Sequence, residues 1–247
     1  MTAAHEVSMT EPRAALVTGA TSGIGRAVAI KLASDGFTVI VHGRDAERGA
    51  ETVRAIEEAG GHARFVAADL GVADDVTRLA AEAGDVDVLV NNGGFSWFGK
   101  TNELDVATFD ALFATNVRSA FQLVAAIAPG MADRGHGSIV SLDSMAGHIG
   151  LAGGAAYGGT KAALTAMSRA WAAEFSAAGV RVNTVAPGPV YSDGASAELI
   201  DRLGTTTLVG RGAQVEEIAE VIAFVASDRA SYMTGAVIPV DGGRTAV

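Results

Sequence analysis

Seven short, mostly apolar runs punctuate the chain, at positions 14–18, 38–42, 63–67, 86–90, 138–142, 180–185 and 237–240. Runs this short and this apolar predict strands covered on both faces. Between them, at 24–34, 46–59, 73–83, 106–132, 155–178 and 215–226, apolar residues recur every three or four positions, which predicts six helices. Gly36, Gly60 and Gly179 stand where helices stop. Strands alternating with helices predict a parallel sheet with helices on both faces, and in such sheets ligands bind beyond the carboxyl ends of the strands. Chemistry is therefore expected just after each strand run. The stretch 192–212 is polar and contains glycines, and it reads as a mobile lid.

A chain of 247 residues fits one α/β domain. The expected division is a flexible N-terminal tail over 1–12 and a single domain over 13–247. The absence of cysteine excludes disulfides and thiolate metal sites. No His/Asp/Glu cluster has metal-ligand spacing, so no catalytic metal is expected. A net charge of −10 argues against a surface built for nucleic acid or anionic membrane. The N-terminus lacks a basic start followed by an apolar run, and no window holds 18 consecutive apolar residues. Neither secretion nor a membrane span is expected, and a cytoplasmic location is the default.

The first strand run leads into Thr18-Gly19-Ala20-Thr21-Ser22-Gly23-Ile24-Gly25, which opens a helix. A glycine-rich turn lets the backbone approach a pyrophosphate, and the helix N-terminus offers unpaired N–H groups and a positive dipole end. Between the first strand and the first helix of an α/β chain, this predicts dinucleotide binding. The second strand run ends His42-Gly43-Arg44-Asp45. An acid at the strand end would bond the ribose 2′-hydroxyl of NAD(H), but here Arg44 comes first and can pair with a 2′-phosphate. NADP(H) is therefore favoured over NAD(H). The alternative is that Arg44 pairs with Asp45 or Glu47 at a helix start.

The glycine turn, Asn91-Asn92-Gly93-Gly94, Asn116, Ser144, Tyr157-Gly158-Gly159-Thr160-Lys161 and Pro187-Gly188 follow one another in that order. This set resembles the short-chain dehydrogenase/reductase family in its short, single-domain form, over about Arg13 to Gly243. Among its members the 3-oxoacyl-acyl-carrier-protein reductases and related carbonyl reductases are the commonest look-alikes. The resemblance implies a three-layer Rossmann-type doubly wound sheet of about seven parallel strands with helices on both faces. It also implies hydride transfer between a nicotinamide dinucleotide and a carbonyl or alcohol.

Tyr157 and Lys161 are four apart and share one face of a helix. A free phenol is a weak acid or base near neutrality, with a pKa of about 10, and a cation nearby lowers that value. Tyr157 is then the candidate general acid/base and Lys161 the residue that tunes it. By resemblance Lys161 also reaches the nicotinamide ribose, Ser144 orients the substrate oxygen, and Asn116 anchors a water in a proton relay. Resemblance further places Asp69 and Leu70 near the adenine and Asn92 and Gly93 near its ribose. It puts Pro187, Gly188 and Val190 at the carboxamide, and Ser192 where a threonine is usual. Asp143 stands where a small residue is common, either contacting a polar substrate group or capping a turn. Phe95, Trp97, Phe98, Met145, His148 and Tyr191 are candidate pocket residues, and the aromatic ones could instead lie in a subunit contact. The alanine-rich stretches 106–132 and 155–178 fit a homotetramer, or a homodimer. Two other readings stand beside the NADP(H) reductase, an NAD(H)-dependent alcohol or sugar dehydrogenase and a non-catalytic dinucleotide sensor.

Overall fold

The computed structural model describes residues 13–247, so the expected tail over 1–12 lies outside the described residues. Seven strands form one parallel sheet: β1 (Ala14–Val17), β2 (Thr38–Gly43), β3 (His62–Ala67), β4 (Val88–Asn91), β5 (Gly137–Leu142), β6 (Val180–Pro187) and β7 (Val237–Val240). Their order is β3-β2-β1-β4-β5-β6-β7, and every pairing is parallel. The chain reverses its direction of winding between β1 and β4, so a crevice opens there beyond the strand ends. β7 completes the edge beside β6 through the register Thr184↔Val237 to Pro187↔Val240.

Alternate strand residues serve two separate cores, as the two-residue period of a strand requires. Val17, Val39, Val41, Val140 and Val185 pack on one face with Val28 and Leu32 of α1 (Gly23–Ser34) and Ile218 and Ile222 of α8 (Val215–Ala226). Leu16, Ile40, Leu89, Ile139 and Val182 face the other way. They meet Leu79 of α3 (Ala73–Ala83), Leu123 and Met131 of α5 (Ser119–Arg134), and Leu164 and Trp171 of α6 (Ala155–Phe175). Full burial of each Leu or Ile contributes about 1.5–3 kcal/mol. The helix α2 (Ala46–Glu58) starts at Asp45, whose carboxylate accepts from the Glu47 and Arg48 amides.

The single helix expected over 106–132 is present as one helical run, Val106–Arg134, in which α4 (Val106–Phe113) passes through a π turn (Ala114–Arg118) into α5. One extra residue per turn leaves the apolar recurrence almost unchanged, so the pattern does not register the π turn. The combined stretch Val106–Arg134 is long and apolar enough to cross a membrane by composition alone, but it lies against the sheet and buries Leu123, Ile127 and Met131. The stretch 192–212 contains an eight-residue helix, α7 (Ala197–Gly204). Ser196 caps it by accepting from the Leu199 amide, and the Tyr191 hydroxyl donates to Asp201 at 2.5 Å. Arg211 closes the segment with a two-pronged bond to Glu217, which holds that carboxyl down at about 2.

Candidate active site

Two strand ends, far apart in sequence, are tied together to make the crevice. Thr18 Oγ1 donates to the Val90 carbonyl and accepts from the Asn92 and Gly93 amides at 3.0 and 2.9 Å. Asn92 Nδ2 donates back to the Thr18 carbonyl at 2.8 Å. Gly19 sits at φ +64°, where L side chains are strained, and a Cβ there would lie 2.9 Å from Gly93 Cα. At Gly25 a Cβ would lie 2.2 Å from the Gly19 carbonyl oxygen. The turn is thus packed backbone against backbone, and Thr21 folds over it against Gly43.

The N-terminus of α1 is left open. Ser22 occupies the cap position without a side-chain bond, and no acid stands in the first turn, which holds Ile24 and Gly25. An uncapped helix end free of carboxylates fits a pyrophosphate. Ser192 lies against the same turn, its Cβ 3.3 Å from where a Cβ on Gly23 would stand. Leu70 packs under Gly93, and Asp69 accepts from the Gly71 amide. Pro187 ends β6, Gly188 passes too close to Asp241 for a side chain, and Val190 bridges to Ala213.

Arg44 does not pair with Asp45 or Glu47. Asp45 is occupied with capping α2 and with Arg48 Nε at 3.0 Å. Arg44 is 78% exposed at the side chain and comes to 4.0 Å from Asp69. Sequence reasoning gave no role to His42, which is buried under the glycine turn. Its Nδ1 accepts from the Gly19 amide at 3.2 Å, and its Nε2 donates to the Ala68 carbonyl at 3.1 Å. Burial, the dominant influence, holds its pKa at about 4, so the ring is neutral. A histidine closing a strand beside a glycine turn is the only signal the sequence offers.

The candidate reacting groups converge on the other side of the crevice. Tyr157 lies in the first turn of α6 and Lys161 one turn further on, its Nζ 5.8 Å from the phenol ring centre. Lys161 is buried and donates to the Leu142 carbonyl at 2.7 Å. Burial lowers its pKa to about 8, against an opposing pull from Asp143. Ser144 caps the turn Met145–Gly147 through the Ala146 amide and stands beside the phenol. In the protein alone the phenol pKa stands above its ordinary value. Burial pushes Tyr157 up, the Ser144 hydroxyl pulls it back, and the Asp143 carboxylate adds to the rise.

Asn116 sits in the π turn with its side chain fully engaged. Oδ1 accepts from the Phe95 amide at 3.0 Å, while Nδ2 donates to the Phe95 carbonyl and to Thr160 Oγ1. It clamps the loop after β4 to α6. Of the candidate pocket residues, Phe98 packs on Tyr157 with ring centres 5.5 Å apart. Phe95 is bound through its backbone and leaves its ring partly exposed. Trp97 instead lines a cavity of about 370 Å³ with Ala155, Ala156, Phe109 and Phe113. At 3.6 residues per turn, Ala155 and Ala156 project roughly opposite Tyr157 and Lys161. Met145 and His148 line a second cavity of about 250 Å³ with Arg169 and Asp241, and Tyr191 is turned onto α7. Asp143 neither caps a turn nor faces the crevice. It is buried between β5 and α6, bonded to Thr165 and His148.

Comparison with known proteins agrees with this geometry. A family model described as enoyl-(acyl carrier protein) reductase matches residues 19–245. The 3-oxoacyl-[acyl-carrier-protein] reductase of Staphylococcus aureus is 35% identical over 94% of this chain and 97% of its own length. A solved short chain dehydrogenase/reductase family protein is 50% identical with a TM-score of 0.88, covering 95% of this chain and 98% of its own. A blue fluorescent protein from a metagenomic library, solved in complex with NADPH, is 33% identical with a TM-score of 0.89 over 94% of this chain and 97% of its own. At that coverage and identity, the chain belongs to the short-chain dehydrogenase/reductase family of oxidoreductases.

Proposed function

We propose that the protein interconverts a secondary alcohol and its carbonyl compound using NADP(H), with Tyr157 as the acid/base. The carrying observation is that Ser144, Tyr157 and Lys161 meet at the carboxyl edge of β5, across the crevice from the glycine turn. The bound dinucleotide supplies the hydride or accepts it. In reduction the Tyr157 hydroxyl donates its proton to the carbonyl oxygen, and the Ser144 hydroxyl bonds the same oxygen and steadies its growing charge. Lys161 holds positive charge beside the phenol, so the phenolate left behind is stabilised. In oxidation the same groups run in reverse.

The 2′-phosphate preference is supported by Arg44, exposed at the end of β2 with the neighbouring Asp45 already used by α2. The NADPH complex of a relative adds to this. Association of subunits through α4 and α5 is supported by Val106, Phe109 and Phe121, which stay exposed on those helices.

The test is NADPH oxidation, followed by absorbance, against 3-oxoacyl thioesters, ketones, aldehydes and keto-sugars, with NADH as the alternative donor. Tyr157→Phe is expected to bind NADPH normally and to lose at least about a hundredfold in kcat. A variant with near-normal kcat refutes the role of Tyr157. Turnover only with NADH refutes the Arg44 reading. Dinucleotide binding without turnover in either direction favours a sensor.

A further inference from the structure

Behind Lys161 lies a charged group that the reaction described above does not use. The Asp143 side chain is entirely buried. Its Oδ2 accepts from Thr165 Oγ1 at 2.6 Å and from His148 Nε2 at 2.5 Å, while Oδ1 is buried without a hydrogen-bond partner. Thr165 is one helical turn beyond Lys161 on α6, and Leu142, whose carbonyl receives Lys161 Nζ, is the residue before Asp143. The carboxylate and the ammonium are therefore attached to the same two elements, one residue and one turn apart. The space is fitted to the carboxylate: a Cβ on Gly147 would stand 2.7 Å from Oδ1, so only glycine leaves room for it.

A buried ammonium bonded only to a backbone carbonyl still lacks a counter-charge, and the buried carboxylate, bonded through Oδ2 to a hydroxyl and an imidazole, keeps Oδ1 without a partner. Among the described residues, Asp143 is the one anion that acts on Lys161. We propose that Asp143 is a positioning residue for the reaction: it is the buried counter-charge that keeps Lys161 an ammonium beside Tyr157. Its negative charge holds protons on both Lys161 and Tyr157. That favours the fully protonated pair from which a carbonyl is reduced, and it extends reduction to higher pH. The ionisable groups facing the carboxylate are Lys161 and Tyr157 from α6 and His148 from the loop after β5. Across the smaller cavity His148 shares its walls with Arg169 and Asp241.

This inference rests on the acid/base reading of Tyr157 and Lys161, so the experiment includes Tyr157→Phe, whose retained turnover would overturn that reading by itself. The measurement is kcat/KM for carbonyl reduction across about pH 6 to 10 in wild type and Asp143→Asn. The variant keeps the shape and an acceptor for Thr165 but removes the charge. Its alkaline limb is expected to move down by about one pH unit, a tenfold relative loss on that limb, with little change at the acid end. Thr165→Val keeps the charge and removes a hydrogen bond, and its limb is expected to stay with wild type even where its thermal stability falls. Asp143→Ser, which places a small hydroxyl residue there, repeats the measurement if the asparagine variant does not fold. Superimposable profiles for wild type and a folded Asp143 variant, with Tyr157→Phe inactive, overturn the proposal. An equal shift in Thr165→Val also overturns it, because the effect would then come from packing and not from charge.

Discussion

His42 offers a test in which the magnitude follows from the structure. In the folded protein burial holds its pKa at about 4, against an ordinary value of 6.5. The ring is 2% exposed, so little solvent screening applies. Because the folded value is the lower one, the unfolded chain takes up the proton first. The stability that neutral His42 contributes is therefore complete above about pH 6.5 and is lost as pH falls towards about 4. Integrating proton uptake by the two states gives a loss of about 2 kcal/mol between about pH 7.5 and 5, above the range where most carboxylates titrate. His42→Gln can still accept from Gly19 and donate to Ala68, but it does not titrate. Urea unfolding at fixed protein concentration should show wild type losing about 2 kcal/mol more than the glutamine variant over that interval. The exposed histidines are common to both proteins and cancel. Parallel stability curves would refute the argument, because they would mean that His42 carries no buried penalty on protonation. NADPH affinity of the folded protein should hold over the same interval, since a ring with a folded value of about 4 stays largely neutral at about pH 5 and its Nδ1 still accepts from the Gly19 amide.

Three further outcomes follow from the geometry of the site. Gly25→Ala places a methyl 2.2 Å from the Gly19 carbonyl, so NADPH binding measured by fluorescence titration should weaken at least about tenfold, and unaltered affinity would refute the tight packing of the turn. Arg44→Glu should reduce the ratio of kcat/KM for NADPH over NADH by at least about tenfold, because it replaces the proposed phosphate partner with a repulsive charge; an unchanged ratio would show that Arg44 does not face the ribose. Asn116→Ala removes three hydrogen bonds and leaves the Phe95 backbone unpaired, so unfolding free energy should fall by about 2–4 kcal/mol and kcat should fall with it as the loop after β4 detaches from α6. Wild-type stability in that variant would rule out the clamp.

The parts of the fold that sequence reasoning recovered are those governed by local periodicity. Leu16, Ile40 and Leu89 face one core while Val17, Val41 and Val90 face the other, and such double burial produces an unbroken apolar run that is easy to recognise. The β-to-α alternation then dictated where the crevice must open. What stayed hidden depends on contacts between distant residues or on elements too short to show a period. α7 has eight residues flanked by serine, glycine and threonine, and only Ser196 followed by Glu198 hints at its start. The spacing of Tyr157 and Lys161 marked them as neighbours, but nothing local distinguishes Phe98, which meets the phenol, from Trp97, which faces another cavity. Asp143 and His42 owe their roles to partners 22 and 23 residues away along the chain, beyond the reach of any local pattern.

The strand order also sets a schedule for synthesis. β6 is complete at Pro187, yet the strand that covers its outer edge begins only at Val237, about fifty residues later. At about 5–20 residues per second, the ribosome takes roughly 2–10 s to supply that cover. Throughout that interval the backbone amides and carbonyls along the outer edge of Thr184 to Pro187 have no ladder partner. An open, apolar edge of this kind recruits strands from other chains. Nascent molecules stalled between β6 and β7 are consequently the species of this protein most exposed to aggregation, and the half-buried Val237 to Val240 segment serves as the protective edge of the finished sheet.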